Sequence, residues 1–467
     1  MKTGPRWRLI AAGALVFALS MACYPPESLR TITPVLAPSA EPTATHASAS
    51  NLTHTPSLTG IPAATDSPEP TDTAEAPHTS VPTPIPLEPG QWGRLANPAF
   101  HNKRIKSTLF FSGQARDGSS RYGCSPVSNM GLYTVHPTDA RHLTWSESEG
   151  NRDFALNQML DAGINVVSMS SWGEDFLPCD VGWTQIAPMQ TAPGSHDELF
   201  AAAVDKPLLI APFIESRNDW AFRDEFPRWT DGRVAPGTVS QINNLVARYL
   251  HSAAHPEWAD QWAQVYDRNG EPRYAVVLIH ASSNQLQPDD HADFAAGFDL
   301  VAEEVLKATG VKVGFLIDPL PPDSNAPGVF RPNPEKSGAA LLETDAILGI
   351  QAFIPEIWVS GSPDDVQLMA WKRDFARRWS ATGVPFLIDI SPGYDASIVF
   401  PDSITYGFSA EWRDTLTGMV KDFGQDGLVF NSWNGYTEGM AAVPTQEHGD
   451  VAYRWLQASC TLVDAPE

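Results

Sequence analysis

The sequence predicts an α/β chain whose folded part is a (β/α)8 TIM barrel, preceded by a signal peptide and a disordered Pro/Thr/Ser-rich stalk. Three observations predict it. Eight apolar runs of strand length alternate with amphipathic segments between Gln91 and the C-terminus. The runs are apolar at successive positions, as parallel strands covered on both faces require. No Gly-rich phosphate fingerprint follows the first run, which weighs against the alternative of an open doubly wound sheet.

The first segment, residues 1–23, reads as an address. Lys2, Arg6 and Arg8 precede the apolar stretch "LIAAGALVFALSMA" and then Cys23. A basic start, a short apolar core and a small residue before the cleavage point make a secretory signal. The stretch is shorter than the roughly 20 residues of a membrane span. "LSMAC" resembles a bacterial lipoprotein box, although Ser20 stands where Leu is usual. That resemblance implies lipidation at Cys23, a membrane anchor and a location at the cell surface.

Residues 24–90 are mostly Pro, Thr, Ser and Ala. Such a segment buries too little apolar surface to offset the entropy of ordering it, so a stalk is expected. Residues 91–467 form the third segment, expected to be a monomeric barrel. Its strand candidates are "STLFFSG", "INVVSMSSW", "KPLLIAPFIE", "RYAVVLIHASS", "VKVGFLID", "AILGIQAFIP", "VPFLIDISPGY" and "DGLVFNSW". Helical patterns lie between them, such as "RDFALNQMLDAG" and "DDVQLMAWKRDFARRWSATG". In the latter, Val366, Met369, Ala370 and Arg373 follow a helical spacing, and Gly383 supplies a stop.

Composition narrows the function. The formal net charge is -24 and no basic stripe is visible, which argues against a nucleic-acid partner. No ligand spacing suggests a metal, no cofactor motif is present, and no G-x-S-x-G elbow points to a serine hydrolase. In a barrel, residues just past each strand gather at the C-terminal mouth. The acids there would be Glu215, Asp318, Glu356, Asp389, Asp395 and Glu438, and the aromatics Trp172, Tyr394, Trp433 and Tyr436. Ser112, His280, Asn284 and Asn431 would complete it. Carboxylates among flat rings suit carbohydrate, because rings stack on sugar faces and acids bond hydroxyls. Blander readings stand beside these: His280 as a core histidine, Asp318 as a loop cap, Glu356 on a surface loop, and Trp172 and Trp433 as packing.

One stretch carries a resemblance. "DGLVFNSWNGYTEGMAAVPT" resembles the last-strand motif of family 99 glycoside hydrolases, which include endo-α-mannosidases, and of family 71 α-1,3-glucanases. "VYDRNGEPRYAVVLIH" and "VPFLIDISPGYDAS" are similar to their fourth and seventh strands. In both families two acids three residues apart work together. Glu438 matches the second, which implies a general acid/base on the glycosidic oxygen, whereas the first falls on Gly435. A glycosidase of the usual kind needs two carboxyl groups, so another acid must supply the partner: Asp389, Asp395 or Glu215, in that order. The lost side chain at Gly435 is expected to leave room in the mouth. The expected function is hydrolysis of an oligo- or polysaccharide outside the cytoplasm; the rival is a glycan-binding lipoprotein on a degenerate barrel. A disulfide is expected between Cys124 and Cys179, in the loops after the first two strands, leaving Cys460 over.

Overall fold

The computed structural model describes residues 91–111, 133–145, 147–170, 195–215, 236–251, 255–281, 289–319, 330, 332–353, 364–398 and 403–464. The expected signal peptide, stalk, Cys23, Cys124 and Cys179 lie outside them. Eight parallel strands form the barrel: β1 Ile105–Phe110, β2 Val166–Ser170, β3 Leu209–Glu215, β4 Pro272–Ala281, β5 Val313–Pro319, β6 Ile347–Gln351, β7 Phe386–Ile390 and β8 Gly427–Phe430. Each pairs with the next, and β8 returns to β1 through Ile105↔Gly427 and Ser107↔Val429, which closes the ring. All eight fall within the predicted runs except at their ends.

Helices follow the strands: α1 Glu149–Asp161, α2 Ser195–Ala203, α3 Pro236–Tyr249, α4 His291–Thr309, α5 Pro334–Leu341, α6 Asp365–Ser380, α7 Ala410–Phe423 and α8 Val451–Asp464. Their starts follow from side-chain caps. Ser148, Asn333, Asp364 and Ser409 each accept a backbone N–H three residues on, satisfying a donor the helix leaves open. Gly310 ends α4 at φ 74°, a left-handed conformation that costs glycine little.

The inward stripe of α6 differs from the predicted one. Val366 is 71% exposed, and Ala370 and Arg373 also face solvent. Met369 is buried as expected, but its buried companions are Leu368, Lys372, Phe375, Ala376 and Trp379. A lysine in the stripe disguised it, because a cation reads as the solvent face.

Strand faces alternate, and contacts with the outer helices fix which face is which. Phe430 meets Trp455 of α8, Lys106 meets Asp464 of α8, and Phe386 meets Phe375 of α6. Their register neighbours Ser107, Val429 and Asp389 therefore face the barrel interior. The same alternation turns Ser168, Asp318 and Gln351 inward.

Two additions to the ring were not predicted. Gln264–Tyr266 pairs antiparallel with the start of β4, and Leu95 bridges to Val265. The Trp92 indole donates to Ile347 O at the first residue of β6, and Gly93 packs on Pro385 just before β7. Residues 92–97 thus lie across the N-terminal end of the barrel, with Leu95 fully buried. At the other end, Gly393–Tyr394 and Tyr406–Gly407 form a short antiparallel ladder beside the mouth.

Candidate active site at the C-terminal mouth

The loop leaving β8 is fixed by bonds to its neighbours. Asn431 N continues the ladder to Ile390 O, and Trp433 N donates to Leu109 O. The Asn434 amide grips β1 in both directions: Oδ1 accepts from Phe111 N at 2.8 Å and Nδ2 donates to Phe111 O at 2.9 Å. Thr134 N and Val135 N both donate to Tyr436 O. A one-turn helix, Tyr436–Glu438, then ends at Gly439 with φ 71°. Glu438 is half-buried at this turn.

Gly435 does not leave room. A side chain there would place its first carbon 2.6 Å from Ser432 Oγ and 3.4 Å from Met440. Ser432 Oγ donates to Met440 O at 3.0 Å, and the backbone pair Gly435↔Met440 closes the loop on itself. The glycine thus has a packing reason: it lets two backbones and a serine share one space.

Asp395 stands beside Glu438. Its backbone N–H donates to Glu438 O at 2.9 Å, and Gly439 packs against its Cβ. Asp395 Oδ1 accepts from Ser397 N at 2.9 Å and from Thr405 Oγ1 at 3.3 Å, which orients the half-buried carboxylate. The loops after β7 and β8 therefore meet through the backbones of two acid-bearing residues.

Asp389 faces the barrel interior but is committed elsewhere. Lys372 Nζ lies 2.5 Å from Oδ2, and both side chains are within 2% of full burial. The last β6–β7 partners are Gln351↔Leu387, so Asp389 lies two residues above the end of that ladder. Lys372 reaches it from the inward face of α6. A buried carboxylate held by a buried cation is a poor partner acid, which removes Asp389 from the head of the expected order.

The interior around Asp389 is polar where barrels of this kind are usually filled by Val, Ile and Leu. Asp318 is buried and Oδ1 accepts from Phe353 N at 3.0 Å, the loop-capping arrangement. Gln351 and Asn431 are both fully buried. Among the described residues, both Gln351 amide atoms, Asn431 Oδ1, Ser107 Oγ and Ser168 Oγ have no hydrogen-bond partner. Gln351 and Lys372 escaped the sequence reading. The one signal for Lys372 was its helical spacing with Leu368, Phe375 and Ala376.

Of the expected aromatic wall, the described residues Tyr394, Trp433 and Tyr436 are packing residues. Trp433 is 1% exposed and meets His142 and Tyr453. Tyr436 is fully buried against Tyr133, and burial raises its hydroxyl pKa well above the usual value. Tyr394 stacks on Tyr406 at 5.6 Å. A ring with no open face has nothing to offer a sugar. Glu215 ends β3 and His280 lies next to the end of β4, at a register shift, but their side chains are outside the described structure. Trp172, Ser112, Asn284 and Glu356 lie outside the described residues altogether. Cys460 is a buried free thiol whose pKa burial pushes up to about 12. Among the described residues, no cluster of three or more His, Cys, Asp or Glu side chains could hold a metal ion.

No family model and no curated protein matches the sequence. Solved structures similar to the chain include the GH99 endo-α-mannosidase of Bacteroides thetaiotaomicron, at 14% identity and a TM-score of 0.48 over 77% of this chain and 96% of that one. A glycoside hydrolase family 5 mannosidase of Rhizomucor miehei is similar at 12% identity and a TM-score of 0.39, over 80% of this chain and 98% of that one. A class V chitinase of Pseudomonas fluorescens is similar at 12% identity and a TM-score of 0.38, over 77% and 99% respectively.

Proposed function

We propose that the protein is an extracytoplasmic glycoside hydrolase, anchored through Cys23 and monomeric, that cleaves an oligo- or polysaccharide at the C-terminal mouth. The observation that carries this reading is the bond from Asp395 N to Glu438 O, which fixes two acid-bearing loops side by side. Glu438 donates a proton to the glycosidic oxygen as the bond breaks. As that bond breaks, Asp395 acts on the opposite side of the sugar ring, either as a nucleophile whose glycosyl ester water then hydrolyses with Glu438 as base, or as the base that takes a proton from the attacking water. The separation of the two carboxyl groups selects between these: about 5–5.5 Å gives retention and roughly 6.5–9.5 Å gives inversion. The Ser397 N–H and Thr405 hydroxyl that meet Asp395 hold its carboxylate in place.

A second reading has its own observation. Gly435 holds no acid where the resembling families have one, which favours a protein that binds glycan without cleaving it. Incubating the whole chain with a panel of α- and β-linked glycans separates the two. Released oligosaccharides support the hydrolase; retention of a glycan with no release supports the binding protein.

A further inference from the structure

The N-terminal face of the barrel, on the far side from the mouth, carries a cleft of about 810 Å³. Its charged lining residues are Arg94, Lys103, Arg104, Lys106 and a single carboxylate, Asp464. In a chain of net charge -24 this is a local reversal of sign. Part of it has a structural account, because cations stabilise helix C-termini. Arg104 bonds Val463 O in the last turn of α8, Arg94 bonds Gln425 O just beyond α7, and Lys106 pairs with Asp464. That account does not reach Lys103, which is exposed and has no side-chain partner among the described residues. Nor does it explain why the four gather around one opening. Elsewhere on this face each named cation has its own acid, Lys206 with Asp153, Arg268 with Asp345 and Lys312 with Glu271, as Lys106 has Asp464 here.

We propose that this cleft docks the phosphodiester headgroups of an anionic membrane, setting the domain on its N-terminal face with the mouth turned outward. Clustered Lys and Arg side chains are drawn to anionic headgroups within a Debye length. The acids of the mouth lie a barrel length away and are screened beyond about 8 Å at physiological salt. The chain's own course points to the membrane rather than to a free phosphate. The described domain starts at Gln91, three residues before Arg94, so the preceding 90 residues join it at this face. With an anchor at Cys23, residues 24–90 are the chain that links this face to the bilayer. An anchored domain stays near the bilayer, so a weak site is occupied at high effective concentration.

The test uses the whole chain with Cys23→Ala, so that no acyl group contributes, and co-sedimentation with vesicles of phosphatidylcholine alone or mixed with phosphatidylglycerol. Binding is expected only to the mixed vesicles and should fall as salt rises. Lys103→Glu should weaken it about fivefold or more, whereas Lys336→Glu, the same charge change on α5, should leave it unchanged. Millimolar glycerol phosphate should not displace the protein. Equal partition onto both vesicle types would overturn the proposal. So would equal losses in the two lysine variants, since net charge alone would then explain them. Displacement by glycerol phosphate would mark a site for a soluble phosphate and overturn the membrane assignment. None of these outcomes depends on whether the mouth cleaves glycans.

Discussion

Lys372 and Asp389 form a buried pair that joins α6 to the barrel interior. Two charges taken out of water cost several kcal/mol each, and the pair recovers this only while both partners remain. Lys372→Met should therefore destabilise the fold by about 3–5 kcal/mol, by stranding the Asp389 carboxylate. Lys372→Met with Asp389→Leu should recover most of that loss, which urea denaturation of the three proteins would show. Loss in the double variant equal to the single would mean that the carboxylate was not the cause. Gly435 gives a second residue-scale outcome. Gly435→Ala must turn Ser432 aside and break its bond to Met440 O, at a cost of about 1–2 kcal/mol. Adding Ser432→Ala should relieve the clash, and thermal midpoints of the two variants would check this. Gly435→Glu meets the same obstacle, so it should not restore a paired acid by simple substitution.

At the scale of elements, the strands were legible because parallel strands buried on both faces read as unbroken apolar runs. The inward face of α6 was not, because its burial depends on Asp389, an ion-pair partner in the following strand. The loop after β8 was legible as a site through Glu438, but its aromatic residues were misread as a wall. Strand-end position alone does not say whether a ring faces solvent or a neighbouring loop, and Tyr133, His142 and Tyr453 cover Trp433 and Tyr436. Asp395 came second among the expected partners because its place depends on how two loops meet, a contact between residues far apart in sequence. The segment between β1 and α1 adds a pH prediction. His142 packs between Phe154 and Trp433, and burial pushes its pKa from 6.5 down to about 4. The unfolded chain then binds a proton that the folded chain refuses. Stability from this group is complete above pH 6.5 and falls as pH drops from 6.5 towards 4, by about 3 kcal/mol. The urea midpoint of wild type should therefore fall further between pH 7 and pH 4.5 than that of His142→Phe. Identical falls would contradict the assignment.

At the scale of the whole molecule, the closed eight-strand ring separates two ends with different chemistry. The C-terminal end holds Glu438 and Asp395 above a polar interior, and the N-terminal end holds the cationic cleft beside the start of the domain. The proposed function asks for this division: one end held, the other open to a large substrate. The most direct measurement of the central claim compares wild type, Glu438→Gln and Asp395→Asn on a glycan that wild type cleaves. Both substitutions keep shape and most hydrogen bonding while removing one carboxyl group. Each should lower kcat by about 10²–10⁴-fold with the glycan still bound. Only Glu438→Gln should recover much of its rate on an aryl glycoside, whose leaving group needs little protonation. A wild-type rate in either variant on the natural glycan would contradict the assignment of that acid.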